Sequence, residues 1–227
     1  MADESISYSD ALDYWSNTPA TVDGVLGGFG NTNVPRVDII GSKTFLRKHS
    51  SKFPGEPSAP KYACDIGAGI GRITKNLLIH VADRVDLLEP APNFCAQIEN
   101  ELEEARSMNK IGEVYQLGMQ DFVPQKGKYW LIWCQWCLGQ LPDTDLVMFL
   151  QRCAEGLQAN GAIIVKENIS TAGIDSFDDT DSSVTRTLES FHSIFQKAGL
   201  KVVAEEIQRG FPDILLPVKT FALVKAF

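Results

Sequence analysis

The stretch Asp65-Ile66-Gly67-Ala68-Gly69-Ile70-Gly71-Arg72 decides the fold. It follows a short apolar run, residues 62–66, and opens a segment of helical periodicity over residues 72–79. Glycines at such a junction let the backbone turn sharply and approach a ligand, while the helix amino end offers free N–H groups. Outward from this point the chain alternates. Strands are expected over residues 85–88, 114–117, 129–136 and 162–167, the run at 129–136 being apolar enough for the sheet centre. Helices are expected over residues 93–108, 143–157 and 183–198, with Ala159-Asn160-Gly161 closing the second and Gly199 stopping the third. Residues 200–207 and 219–226 read as a terminal antiparallel pair. The pattern predicts an α/β fold, a mainly parallel sheet with helices on both faces.

The first fifty residues read as an appendage. Residues 7–15 suit a short helix, capped by Ser7 or Ser9, with Leu12 and Trp15 on one face. VDGVLGGFG at residues 22–30 carries four glycines, which predicts a loop with left-handed positions. Another helix is expected near Pro35, and FPGEPSAP at residues 53–60 is the linker onward. The expected division is a helical extension and glycine-rich lid, 1–58, before a main domain, 59–227.

With 227 residues, 44% apolar and 22% charged, the chain fits one well-buried domain plus an extension. The net charge of −8 argues against a nucleic-acid backbone as partner and suits a basic peptide better. No apolar run reaches roughly 18 residues, so no membrane span is expected. The acidic start, Met1-Ala2-Asp3-Glu4, lacks the basic and apolar regions of a signal peptide. Five cysteines in unpatterned positions suit a reducing cytosol; Cys134-x-x-Cys137 has no second pair, so no metal is expected.

The glycine motif alone is unspecific, since a structural turn or a nicotinamide site would suit it. An acid, Glu89, ends the next strand about 24 residues after Asp65, where a carboxylate can accept both ribose hydroxyls. Three details favour S-adenosylmethionine: Asp65 immediately precedes the glycines, the spacing is D-x-G-x-G-x-G, and Met119-Gln120-Asp121-Phe122 follows the third strand, where adenine would be read. Arg72, at the helix start, is a candidate partner for the methionine carboxylate; a surface arginine is the alternative.

Over nearly its whole length the chain resembles the eukaryotic protein N-terminal methyltransferases that modify Xaa-Pro-Lys amino termini, and it is most like a fungal member. The resemblance rests on Tyr14-Trp15, residues 21–30, residues 65–75, Gln120-Asp121-Phe122, Ile132-Trp133 with Gln135-Trp136, Asn160-Gly161 with Lys166-Glu167-Asn168, and the acidic stretch 178–184. It implies a class I, Rossmann-like fold with a seven-stranded sheet and a helical lid. It implies S-adenosylmethionine as cofactor, S-adenosylhomocysteine as its product, and contacts from Asp65, Gly67, Gly69, Arg72, Glu89, Pro90, Met119, Gln120 and Gln135. It implies up to three methyl transfers to the α-amine of Xaa-Pro-Lys proteins after loss of the initiator methionine, ribosomal proteins among them; the cytoplasm is the expected compartment, with entry to the nucleus left open.

Asn168, Asp178 and Asp181 follow the fifth strand and emerge at the carboxyl edge of the sheet, where open α/β sheets bind ligands. Asp181 is expected to be the base, assisted by Asp178, and the resemblance implies that both also bind the lysine of the peptide. Without that resemblance D-D-T-D reads as a solvated loop capping the next helix through Ser182 or Ser183. Asn168 would bond the first peptide residue, Trp136 would wall the proline ring, Ser183 would line the site, and Trp15 and Leu26 would close over it. Relatives often carry His where this chain has Gln140, which shifts proton removal to Asp181 or to water. Ile214-Leu215-Leu216 replaces a more polar and aromatic segment, with a changed tolerance for the first peptide residue as the consequence. His49, His80 and His192 receive no chemistry. The competing readings are a methyltransferase of small molecules or lysine side chains, a non-catalytic protein retaining the cofactor fold, and a nicotinamide dehydrogenase.

Overall fold

Alternating apolar residues make the sheet. In the central strand β4 (Tyr129–Gln135), Ile132 and Cys134 face one way, and Leu131 and Trp133 the other, all fully buried. The computed structural model describes residues 2–226; Met1 and Phe227, the outer ends of the two expected segments, lie outside the described residues. β4 sits among β1 (Tyr62–Ile66), β2 (Arg84–Leu88), β3 (Ile111–Tyr115), β5 (Leu157–Asn168), β8 (Leu200–Ile207) and β9 (Val218–Lys225). The seven strands take the order β3-β2-β1-β4-β5-β9-β8, with β9 antiparallel to both neighbours and the rest parallel. The strand order reverses between β1 and β4, so their carboxyl ends open a crevice.

One face packs on α7 (Asp143–Gly156) and α8 (Leu188–Lys197), through residues such as Phe149, Leu150, Phe191 and Phe195. The other packs on α3 (Val34–His49) and α4 (Arg72–Asn76), through Phe45, Leu46 and Ile73. α5 (Pro92–Glu101) and α6 (Glu103–Ser107) link β2 to β3. Residues 34–49 are therefore part of the core, whereas α1 (Tyr8–Asn17) and the short α2 (Val22–Val25) lie over the crevice. Ser7 caps α1 and Thr21 caps α2, so the glycine-rich stretch holds a helical turn where a plain loop was expected. Asp23 organises that stretch by accepting the N–H of Gly30 on its side chain and that of Gly28 on its carbonyl.

Three boundaries differ from expectation. The third strand runs over Ile111–Tyr115 and stops early, because Gln116 and Leu117 leave the sheet to line a cavity. Ala159-Asn160-Gly161 lies inside β5, where left-handed Asn160 accommodates a register shift against β4. The expected helix at 183–198 begins only at Leu188, with Thr187 as its cap. Ser183–Thr185 instead forms β7, pairing with β6 (Ser176–Asp178) in a separate hairpin. Neither Ser182 nor Ser183 caps a helix. Among the described residues no helix is long and apolar enough to cross a membrane.

Candidate active site

Two cavities open at the carboxyl edge. The larger, about 460 Å³, lies over the glycine motif and is lined by Gly67, Gly69, Arg72, Glu89, Pro90, Met119, Gln120, Asp121 and Gln135. α1 roofs it with Tyr8, Ala11, Leu12 and Trp15. Gly67 (φ +61°) must be glycine twice over: the left-handed backbone disfavours a side chain, and a Cβ there would sit 2.5 Å from Cys137 Cβ. Glu89 Oε2 accepts the Gly69 N–H at 2.8 Å and Oε1 accepts that of Ala91 at 2.8 Å, which fixes the carboxylate in the cavity wall. Burial pushes its pKa up to about 7 against the pull of those two N–H groups. Each oxygen keeps a lone pair for a diol, so the wall fits a ribose.

Asp65, expected to orient the methionine end of the cofactor directly or through water, stands behind the glycine loop. Its Oδ2 accepts both the N–H and the hydroxyl of Thr74, at 3.0 and 2.6 Å, and it does not line the cavity. It braces the helix that follows the glycines. Burial raises its pKa to about 6. Arg72 lines the cavity and is no surface arginine. Its Nη1 donates to Asp38 Oδ2 at 2.7 Å, and its guanidinium lies 5.7 Å from the centre of the Trp136 ring. Wholly buried Asp38 also accepts Lys166 Nζ and the Gln135 amide, so one carboxylate faces two cations. Burial and Arg72 lower the Lys166 pKa, whereas Arg72 keeps its charge, and its guanidinium edge at the cavity suits a ligand carboxylate. The polar atoms of Gln135 are already committed, its Oε1 accepting Trp133 Nε1 at 3.0 Å.

The second cavity, about 400 Å³, is lined by Leu26, Phe29, Glu167, Asn168, Asp181, Ser183, Phe211 and the segment 214–216, among others. Trp15, Val25, Trp136 and Gln140 line both cavities and form the wall between them. Trp136 follows β4 in the left-handed region (φ +54°), a conformation costing a bulky residue about 1–3 kcal/mol. The turn takes the indole off the strand's regular face, and its buried Nε1 has no partner.

Asp181 stands at this junction. Ser183 Oγ donates to its Oδ1 at 2.6 Å, and Gln140 Nε2 donates to its Oδ2 at 3.3 Å, while Gln140 Oε1 is buried without a partner. Burial, helped by the neighbouring Asp178 charge, raises the Asp181 pKa against those hydrogen bonds. Asp178 is exposed at the hairpin and does not line the cavity; its Oδ1 accepts the Thr180 N–H. Asn168 and Leu26 line this second cavity.

Several residues escaped the sequence reading. Glu167 lines the second cavity, its Oε1 accepting the N–H groups of Cys137 and Leu138, and burial raises it to about 7. Asp38 and Ser42 had a legible signal, polar residues on the buried stripe Val34, Asp38, Ser42, Phe45 and His49 of a helix. Tyr8, Phe29 and Phe211 had none. The histidines line neither cavity, and all five cysteines are free thiols. Among the described residues no cluster could hold a metal ion.

A parallel sheet with one antiparallel strand, a glycine loop, an acid fixed in the cavity wall and a roofed cavity at the strand reversal define a class I S-adenosylmethionine-dependent methyltransferase. The chain belongs to the AdoMet-dependent proline di-methyltransferase family, whose model matches residues 3–224. It is 46% identical over 217 residues to the alpha N-terminal protein methyltransferase 1 of Schizosaccharomyces pombe, covering 96% of this chain and 95% of that one. It is 41% identical over 223 residues to the N-terminal Xaa-Pro-Lys N-methyltransferase 1 of Mus musculus, covering 98% and 97%. Among solved structures it superposes on a SAM-dependent methyltransferase of Leishmania major with a TM-score of 0.84 at 38% identity, over 95% of this chain and 82% of that one.

Proposed function

We propose that this methyltransferase acts on the α-amine of proteins beginning Xaa-Pro-Lys, with Asp181 as the base. The observation that carries the reading is the wall common to both cavities. A peptide amino terminus in the second cavity meets the first only past Trp15, Val25, Trp136 and Gln140, with Asp181 alongside.

When bound, the cofactor supplies an activated methyl group on a sulfonium. The protein's own work is to hold an amine in line with it and to manage a proton. An α-amine has a pKa of about 7.7–8.0, so near neutral pH much of it carries an extra proton. Asp181 accepts that proton, and its raised pKa makes it a better acceptor than an exposed aspartate. Gln140 orients Asp181 through its amide and cannot titrate, which leaves proton removal to Asp181, directly or through water. Trp136 walls the proline ring, and proline's fixed φ and missing N–H let a stiff terminus enter at little entropic cost. Asn168, at the end of β5, is placed to bond the first residue. The lysine ammonium then pairs with Asp181 and with Asp178 at the exposed hairpin. Trp15 and Leu26 exclude water above the reacting atoms. Ribosomal proteins with basic tails suit the chain's net charge of −8, and its free thiols suit work in the cytosol and nucleus.

Mass spectrometry of an Ala-Pro-Lys peptide incubated with the enzyme and S-adenosylmethionine, beside its N-acetylated twin, tests this reading. Stepwise methyl gain on the free peptide alone is expected. Methylation of both peptides would move the chemistry to a side chain.

A further inference from the structure

The amino-terminal segment is tied down at three points. Asp3 Oδ2 accepts the Asp143 N–H at 3.0 Å, the Tyr8 hydroxyl donates to Asp145, and the Ser7 N–H donates to Ser182 Oγ at 2.8 Å. The first two fasten the segment to α7. The third fastens it to the hairpin loop that carries the acids, against which the turn Ala2–Ser5 also packs.

Ser182 is an unusual residue to find there. It lies between Asp181 and Ser183, the residue that bonds Asp181, and it is 4% exposed. Its φ of +55° is left-handed, which costs a side chain about 1–2 kcal/mol that glycine would not incur. The chain turns at this point from the exposed tip Asp178–Thr180 into β7, and Asp181 is the acid carried inward. Ser182 caps no helix, since α8 begins on Thr187. What serine offers over glycine at this turn is its hydroxyl oxygen, the acceptor for the Ser7 N–H. The helix that starts at that N–H lays Tyr8, Leu12 and Trp15 over the cofactor cavity.

We propose that Ser182 is a positioning residue for methyl transfer: by accepting the Ser7 N–H it docks the cofactor-cavity roof onto the turn holding Asp181, so that the two cavities close together. The proposal rests on Asp181 being the base. With the dock made, a filled cofactor cavity steadies α1, α1 steadies Ser182, and Asp181 stays at the junction. Without it the roof keeps its ties to α7, and its coupling to the turn holding Asp181 is weakened. Misplacement of a reacting group by about 1 Å costs up to a hundredfold in rate. Loss of a single hydrogen bond sets a milder expectation, about tenfold or less.

The experiment uses the full chain with Ser182→Ala, Ser182→Gly and Asp181→Asn. For each, kcat and KM are measured with an Ala-Pro-Lys peptide, and peptide Kd is measured with and without saturating S-adenosylhomocysteine. In the unaltered chain the peptide binds about fivefold tighter, or more, with the neighbouring cavity filled. In both Ser182 variants that ratio falls to about one, and kcat/KM drops about tenfold, while cofactor Kd rises by no more than the coupling lost. Ser182→Gly relieves the left-handed strain and so melts no lower than the unaltered chain, which separates lost docking from lost folding. Unaltered kcat/KM and an unaltered binding ratio in Ser182→Gly would overturn the proposal while leaving Asp181 as base. Undiminished turnover in Asp181→Asn would instead overturn the base reading on which it stands.

Discussion

Glu89 and Asp181 are both acids at the carboxyl edge of one sheet, and they are held in opposite ways. Glu89 is gripped by two backbone N–H groups, from Gly69 and Ala91, within a few residues of the strand it ends. Asp181 is held by two side chains, Ser183 and Gln140, the second reaching it from 41 positions away. A carboxylate fixed by backbone moves only if the fold moves, which suits a ligand whose diol never varies. One fixed by side chains keeps room to take a proton and release it. The cofactor half is thus a rigid socket, and the peptide half an adjustable one.

Replacing the adjustable acid has the largest effect. Asp181→Asn should lower kcat/KM for an Ala-Pro-Lys peptide by about 10²–10⁴-fold, while calorimetry finds S-adenosylhomocysteine binding unchanged. A parallel loss of cofactor affinity would erase the distinction between the two halves. Glu89→Gln should show the converse. Weakened charged hydrogen bonds to ribose cost about 1.5–3 kcal/mol, so cofactor Kd rises by about ten- to a hundredfold, with kcat at saturating cofactor nearly preserved.

The smallest effect is on stability. Burial raises the folded pKa of Asp65 to about 6 from 3.8, and those of Glu89 and Glu167 to about 7 from 4.5. The folded state therefore holds these protons more tightly than the unfolded chain. The stability they contribute is fully present below their unfolded values and is lost as pH rises through 6 to 7. The cofactor-free protein should melt higher at about pH 5.5 than at about pH 7.5, each kcal/mol appearing as about 2–4 °C. Glu89→Gln should flatten this slope visibly, and Asp181→Asn, half-exposed, should flatten it less. Equal slopes in both would show that the two sockets are equally rigid.

The sequence by itself determined the alternation of the main-sheet strands with helices, the glycine turn, and both acids around it. Those signals are local: Asp65, Gly67, Gly69 and Arg72 are near neighbours, and Glu89 is one strand and one helix away. Resemblance singled out Trp15, Asn168 and Asp181 because whole segments match, and all three line the second cavity. Tertiary structure alone decided that residues 34–49 belong to the core, and that Asp65 braces the helix after the glycines through Thr74. It alone decided that Ser183–Thr185 is a strand beside the acid, and that one buried carboxylate, Asp38, faces both Arg72 and Lys166. The wall between the cavities gathers Trp15, Val25, Trp136 and Gln140 from positions up to 125 residues apart. Periodicity and spacing report what a residue does to its own neighbourhood in the chain. Partners brought together by packing leave no such trace, because the free energy that selects them belongs to the folded core as a whole.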